Sequence, residues 1–393
     1  VMKQCFGNMT GFGYDKEISS DELFGYCYGA FVVETDSTET AEAILDCETV
    51  KSGAFDVKKL GITTEEKTIV LGNESVDLSE LLCSYEEKLE PVFACNRTGA
   101  DEPAAEQKDI SLPEHEAKTW AKPMVRSAVP KVLIPVFPGT NCEYDSAKAV
   151  AAAGLEPDIQ IIRNLTADDI KESVERVSKA IAESNIIFIP GGFSGGDEPD
   201  GSAKFITSFF RNERIREEVD KLLDTRDGLM CGICNGFQAL IKLGLVPFGR
   251  ITDTDESCPT LTYNTIGRHQ SKIVTLRVVS NKSPWLMNTK PGELYKVPVS
   301  HGEGRFLATE ELVKKLSDNG QIATQYADLC GNPTMDIRYN PNGSVYAIEG
   351  ITSPDGRVFG KMGHAERIGK LLYKNVPGEY DMGMFRGAKK YFE

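Results

Sequence analysis

From Lys131 onward the chain alternates short apolar runs with stretches of helical spacing. The apolar runs are Val132–Phe137, Asp158–Ile162, Ile186–Ile189 and Gly228–Cys231. Between them, Tyr144–Ala153 (closed by Gly154), Ala167–Ser184 and Gly201–Leu223 read as helices, and Gly236–Leu243 follows the fourth run. Acids early and Lys179 late in the second of these suit the helix dipole. Continuous apolar strands alternating with helices predict an α/β fold with a parallel sheet covered on both faces. Sites on such sheets form in the loops at the carboxyl ends of the strands. After Gly249 the pattern turns β-rich. Ser271–Val279 and Leu294–Val299 read as strands, and Val345–Ile351 and Arg357–Lys361 flank a hairpin turn at Thr352–Gly356. Met382–Phe392 closes the chain as a helix.

The first 96 residues have another texture, α+β with no complete catalytic set. Ser19 or Ser20 offers a helix N-cap ahead of Asp21 and Glu22. Ala30–Glu34 reads as a strand, Thr38–Leu45 as a short helix, Lys67–Leu71 and Val76–Leu78 as strands about the Gly72-Asn73 turn, and Leu78–Leu89 as a helix. Residues 97–130 read as a linker with Pro103, Pro113, Pro123 and Pro130, and six acids face one lysine between Asp101 and Glu116. Low hydrophobicity and like charge disfavour a core there. Trp120 is the exception and is expected to drape the linker over a neighbouring surface. The expected organisation is 1–96, 97–130 and 131–393.

Composition narrows the function classes. A length of 393 residues allows two or three domains. The net charge of −15 argues against nucleic acid or an anionic membrane as partner. No apolar run approaches the ~20 residues of a membrane span, and the N-terminus lacks a signal-peptide core. Ten cysteines without framework spacing fit reduced thiols in a cytoplasm. A chain that begins with Val1 is expected to be a piece of something longer.

The chemistry centres on Leu229–Leu240, which contains Gly232-Ile233-Cys234-Asn235-Gly236. It reads as a buried strand end, a tight turn and a helix start. A cysteine at the tip of such a turn sits over backbone N–H groups and the positive end of the helix dipole, a setting that favours thiolate. Three readings compete: a nucleophile, a redox pair through Cys231-Gly232-Ile233-Cys234, and a structural thiol. The G-x-C-x-G pattern matches the strained strand-to-helix elbow of hydrolases and favours the nucleophile. A nucleophile needs a base and a group that orients the base. His115 lies in the acidic linker and is expected to be solvated; His269 is polar-flanked and reads as a surface or binding group. His301 and His364 each end an apolar run, and each is followed two residues later by a glutamate, Glu303 and Glu366. Spacing alone does not choose between the pairs. The glycine-rich stretch Gly191–Asp197 could bring backbone N–H groups to an oxyanion, with the Asn235 N–H as a second donor. It lacks the Gly-Lys-Ser/Thr ending of a phosphate-binding loop.

Four motifs in order carry a resemblance: Phe137–Asp145, Gly191–Asp197 with the elbow after it, Ser300–Phe306 and Gly363–Arg367. They resemble the class I (triad) glutamine amidotransferases, and among these the glutaminases of the phosphoribosylformylglycinamidine synthase family of purine biosynthesis. The resemblance covers Lys131 to the C-terminus. It implies a doubly wound, mostly parallel, flavodoxin-like sheet. It implies Cys234 as nucleophile, His364 as base and Glu366 as orienter, with oxyanion donors at Gly192, Phe193 and Asn235. Gln238 resembles a position that touches bound glutamine, and His301 and Glu303 a loop beside the substrate. Gly195 stands where some relatives carry an aromatic residue. Residues 1–96 resemble the end of a synthetase-like domain. No cofactor or metal is implied for the glutaminase; ATP and magnesium are expected in upstream synthase domains, which are the expected partners on the same or a companion chain. Rival readings are a cysteine hydrolase or redox protein of the same fold, and an inactive interaction module.

Overall fold

A computed structural model describes residues 1–16, 18–92, 110–193, 203–369 and 371–393, which fall into two compact units, Val1–Cys95 and Asn96–Glu393. The first unit holds α1 (Met2–Asn8), β1 (Gly11–Tyr14), α2 (Ser20–Phe24), α3 (Thr38–Leu45), α4 (Glu48–Lys51), β2 (Gly61–Thr64), β3 (Thr68–Leu71), β4 (Glu74–Asp77) and α5 (Leu78–Glu87). Its sheet runs β2-β1-β3-β4. Ser19 caps α2 in a reciprocal capping box with Glu22. The core is small: Cys5, Ile69 and Leu78 are buried. Ala30–Glu34 is not a strand; it runs as irregular, exposed backbone. Its strand-like residues lack a neighbouring strand among the described residues, and β-propensity is realised only by packing against one.

The second unit is built on a nine-stranded sheet ordered β11-β10-β13-β14-β15-β8-β7-β5-β6. Its strands are β5 (Lys131–Val136), β6 (Glu156–Ile161), β7 (Ile186–Ile189), β8 (Leu229–Ile233), β10 (Gln270–Val278), β11 (Leu294–His301), β13 (Ile322–Ala327), β14 (Ile348–Thr352) and β15 (Val358–Lys361). The strands β6, β5, β7, β8 and β15 pair in parallel. Numbered in chain order they lie 2-1-3-4-5, the flavodoxin-like doubly wound arrangement. β14, β13, β10 and β11 extend this sheet antiparallel. β15 is therefore a seam, parallel to β8 on one side and antiparallel to β14 on the other. A separate ribbon pairs β9 (Thr260–Tyr263) with β12 (Glu303–Leu307).

The helices of this unit are α6 (Glu143–Ala152), α7 (Ala167–Glu183), α8 (Lys204–Phe210), α9 (Glu213–Asp220), α10 (Asn235–Leu243), α11 (Leu245–Phe248), α12 (Glu310–Asp318) and α13 (Met384–Phe392). The single helix expected over Gly201–Leu223 is broken. α8 stops at Phe210, and Asn212 accepts the Arg214 N–H at 3.1 Å to begin α9, an N-cap placed inside an otherwise helical pattern. β7 and β8 are buried along their whole length, as strands covered on both faces must be.

Residues 110–130 lie along this second unit. Trp120 donates its indole N–H to the Asn281 carbonyl at 3.1 Å, and Leu112 packs against the main core. His115 departs from the solvated expectation. It bridges to Ser280, and its ring packs over Gly320 in a half-buried position.

Candidate active site

The nucleophile elbow follows from close packing. Cys234 has φ 54° and ψ −107°, a left-handed conformation between β8 and the first residue of α10. A strained non-glycine residue at such a point is held there by its surroundings. Gly236 allows the approach of β7: a Cβ there would lie 2.1 Å from the Ile189 carbonyl oxygen. The Cys234 N–H donates to the Lys361 carbonyl at 2.9 Å, and its Sγ meets the Ser300 carbonyl at 3.8 Å. Cys234 is 5% exposed. Cys231 lies within β8, aligned with Phe188 and Phe359, and burial pushes its thiol well above the ordinary range. Such burial favours a structural role for Cys231 over a redox pair with Cys234.

His364 and Glu366 come together in the loop after β15. Nδ1 and Oε1 are 2.7 Å apart, with side chains 3% and 0% exposed. Burial alone would push the imidazole down. Glu366 and the thiols of Cys142 and Cys234, which hydrogen-bond the ring, outweigh it and hold His364 well above its ordinary value. Burial likewise pushes Glu366 up, and His364 reverses that to a net lowering. Glu366 holds Nδ1 and so orients the ring, with Nε2 as its other nitrogen. Gly191 marks the crowding. A Cβ there would meet His364 Cε1 at 2.7 Å, Cys142 Sγ at 3.1 Å and Cys234 Cβ at 3.4 Å.

His301 has a different partner and a different state. Its Nδ1 meets Asn264 Oδ1 at 3.0 Å, while Asn264 Nδ2 donates to the His301 and Arg268 carbonyls. That orientation makes Oδ1 an acceptor, so Nδ1 carries the proton and Nε2 is a bare lone pair. His301 Nε2 is buried with no hydrogen-bond partner among the described residues. Burial, aided by His364 and His269, pushes the ring down to about 3. His301 is therefore a fixed neutral acceptor and not a base.

The remaining expected residues divide. Gln238 accepts from Asn235 Nδ2 at 2.8 Å and donates to the Glu303 carbonyl at 2.7 Å, so its amide ties α10 to β12. Glu303 is buried at the start of β12. The Phe193 N–H donates to the Gly139 carbonyl at 2.8 Å, which removes it as an oxyanion donor. Gly192 forms the β-bridge to Thr140 beside it. Ser194–Asp197, including Gly195, lie outside the described residues.

Two neighbours of the site, Cys142 and Arg367, were not singled out individually from the sequence. Cys142 Sγ lies 3.9 Å from His364 Nδ1 and receives a hydrogen bond from Arg367 at 3.0 Å. His269 is exposed, with Nε2 3.0 Å from Ser300 Oγ and its ring 6.0 Å from that of Phe193. Arg367 pairs with Asp145 at 3.4 Å. Among the described residues, Cys142, His364 and Glu366 have ligand-type atoms within 4.8 Å of one another. The Arg367 guanidinium already supplies a cation to that thiol. No described helix is long and apolar enough to cross a membrane.

A family model described as a CobB/CobQ-like glutamine amidotransferase domain matches residues 129–392. The phosphoribosylformylglycinamidine synthase subunit PurQ of Methanococcus maripaludis is 36% identical over 255 residues, 65% of this chain and 87% of that protein. The PurQ subunit of Aquifex aeolicus is 33% identical over 253 residues, 64% of this chain and 95% of that one. PurLQS from Thermotoga maritima is similar in structure with a TM-score of 0.48 at 27% identity, over 67% of this chain and 100% of that chain.

Proposed function

The chain belongs to the CobB/CobQ-like glutamine amidotransferase family, and from that premise we propose that it hydrolyses glutamine at Cys234 as the ammonia-generating part of phosphoribosylformylglycinamidine synthase. The observation that carries this is the buried Cys234, His364 and Glu366 set at the carboxyl ends of β8 and β15. His364 takes the thiol proton, and the Cys234 sulfur attacks the carboxamide carbon of glutamine. Glu366 stabilises the imidazolium that forms. The N–H groups of Gly192 and Asn235 are the proposed donors to the oxyanion. As the tetrahedral adduct collapses, His364 returns the proton to the departing nitrogen, which leaves as ammonia with a thioester on Cys234. Water, activated by His364, then releases glutamate.

His301, buried and with its pKa pushed down to about 3, stays unprotonated and so has no proton to give to the ammonia formed. In the assembled synthase that ammonia would meet formylglycinamide ribonucleotide activated with ATP and magnesium by the synthase domains, the proposed partners of this chain.

The test is covalent labelling with 6-diazo-5-oxonorleucine, read by peptide mass spectrometry. The label is expected on Cys234, and Cys234→Ser should abolish both labelling and glutamate release. Labelling at another residue, or turnover by Cys234→Ser, rejects the proposal.

A further inference from the structure

We propose that the buried pair Glu349–Lys361 is a clamp that positions His364 against Cys234. The proposal rests on the glutaminase reading above for its consequence, though not for its geometry. Both side chains are fully buried, on the adjacent strands β14 and β15, with Lys361 Nζ 3.2 Å from Glu349 Oε1. A buried ion pair is weak evidence for stability. Apolar side chains of similar volume often serve as well, because desolvation offsets the attraction. The reason for this pair is better sought in its other bonds.

Those bonds converge on one residue, at its N–H and its carbonyl. Glu349 Oε1 accepts the Gly363 N–H at 2.6 Å, and Lys361 Nζ donates to the Gly363 carbonyl at 2.9 Å. Gly363 is the residue before His364. It lies beyond the end of β15, between the Met362 and His364 N–H groups, which donate to the Glu349 and Pro298 carbonyls at 3.3 and 2.9 Å. The pair holds both polar atoms of that residue. Glu349 is itself fixed, since Thr324 Oγ1 donates to its Oε2 at 2.5 Å.

Lys361 also has a second attachment. Its backbone carbonyl accepts the Cys234 N–H at 2.9 Å. One residue thus holds the nucleophile with its main chain and the base loop with its ammonium group. Neither Lys361 nor Glu349 reaches the reacting atoms by any bond described, so both are positioning residues. A misplacement of about 1 Å can cost ~100-fold in rate, which is the scale on which such a clamp matters.

The experiment uses the full chain. Single replacements would leave one buried charge unpaired and destabilise the fold, so paired replacements are informative. Thr324→Val/Glu349→Leu/Lys361→Met removes both holds on Gly363 without stranding a charge or the threonine hydroxyl. Glu349→Gln/Lys361→Met keeps an acceptor for the Gly363 N–H and loses only the ammonium hold. The first is expected to lose ~100-fold in kcat and the second ~10-fold, with KM for glutamine nearly unchanged. Iodoacetamide alkylation of Cys234 at pH 7 should slow about tenfold in the first variant and match the parent at pH 10, as expected when a thiol loses its base. If the first variant does not fold, the second decides alone. A folded variant with the parent's kcat and alkylation profile overturns the proposal. Should the parent itself fail to hydrolyse glutamine, the glutaminase reading falls, and the alkylation comparison still decides the clamp.

Discussion

Glu366→Gln tests the heart of the site, because it removes one charge and keeps an oxygen for the His364 Nδ1 proton. The parent atoms are 2.7 Å apart and out of solvent. With charge centres about 4 Å apart and an effective dielectric near 20, a carboxylate attracts an imidazolium by about 4 kcal/mol. At ~1.36 kcal/mol per decade this corresponds to a loss of about 10³ in kcat if the attraction is fully expressed in the transition state. Glutamate release measured against glutamine concentration should show that loss in kcat, with KM little altered. Urea unfolding checks that the fold persists. The stability difference should depend on pH in a defined sense. The His364 pKa is raised in the folded state, so its contribution is present below about 6.5 and fades as pH climbs through the folded value. The Glu366 pKa is lowered, so its contribution is present above about 4.5 and fades as pH falls. The deficit of the variant should therefore be largest between these limits. A folded Glu366→Gln enzyme with more than about a tenth of the parent kcat would refute the reasoning, since the charge would then do little for the base.

His301 makes the opposite pH prediction. Its folded pKa is pushed down to about 3, so the unfolded chain takes up a proton below about 6.5 that the folded chain refuses. Folding stability should fall by about 2 kcal/mol between pH 7 and 5 through this group, and His301→Gln should lack that increment when urea midpoints are compared at the two pH values. Cys231→Ala should keep the parent glutaminase kcat and lose about 1 kcal/mol of stability, because a buried core atom and not a redox partner has been removed; a large fall in kcat would contradict this.

How much of this was legible depended on the range of the interactions. β7 and β8 showed because both of their faces are buried, which writes continuous apolar runs such as Ile186–Ile189. The elbow showed because a strained turn needs small neighbours within two residues of Cys234. The choice between His301 and His364 did not show in the spacing, and only the resemblance made it. Both carry a glutamate at the same spacing, and what separates them is Asn264, which comes 37 residues before His301 and takes its Nδ1. The clamp was invisible for the same reason: Glu349 and Lys361 meet only once β14 and β15 pair. Local propensity misled in two places. Ala30–Glu34 had strand-forming residues and no partner strand, and Asn212 interrupted a periodicity that otherwise ran through Gly201–Leu223. The antiparallel half of the sheet was only partly foreseen. Strands such as β13, covered by neighbours from distant segments, carry no local mark of where they pair.

The seam strand has a consequence for the order in which activity arises during synthesis. His364 lies 130 residues after Cys234 in the chain. The strand that seats against β8 and receives the Cys234 N–H emerges from a ribosome more than 120 residues after Cys234. A growing chain can complete β5 to β8 and present its cysteine, yet it has neither the base nor the carbonyl that anchors the nucleophile. On the proposed mechanism, glutamine hydrolysis would await the synthesis of β15 and of the loop that carries His364.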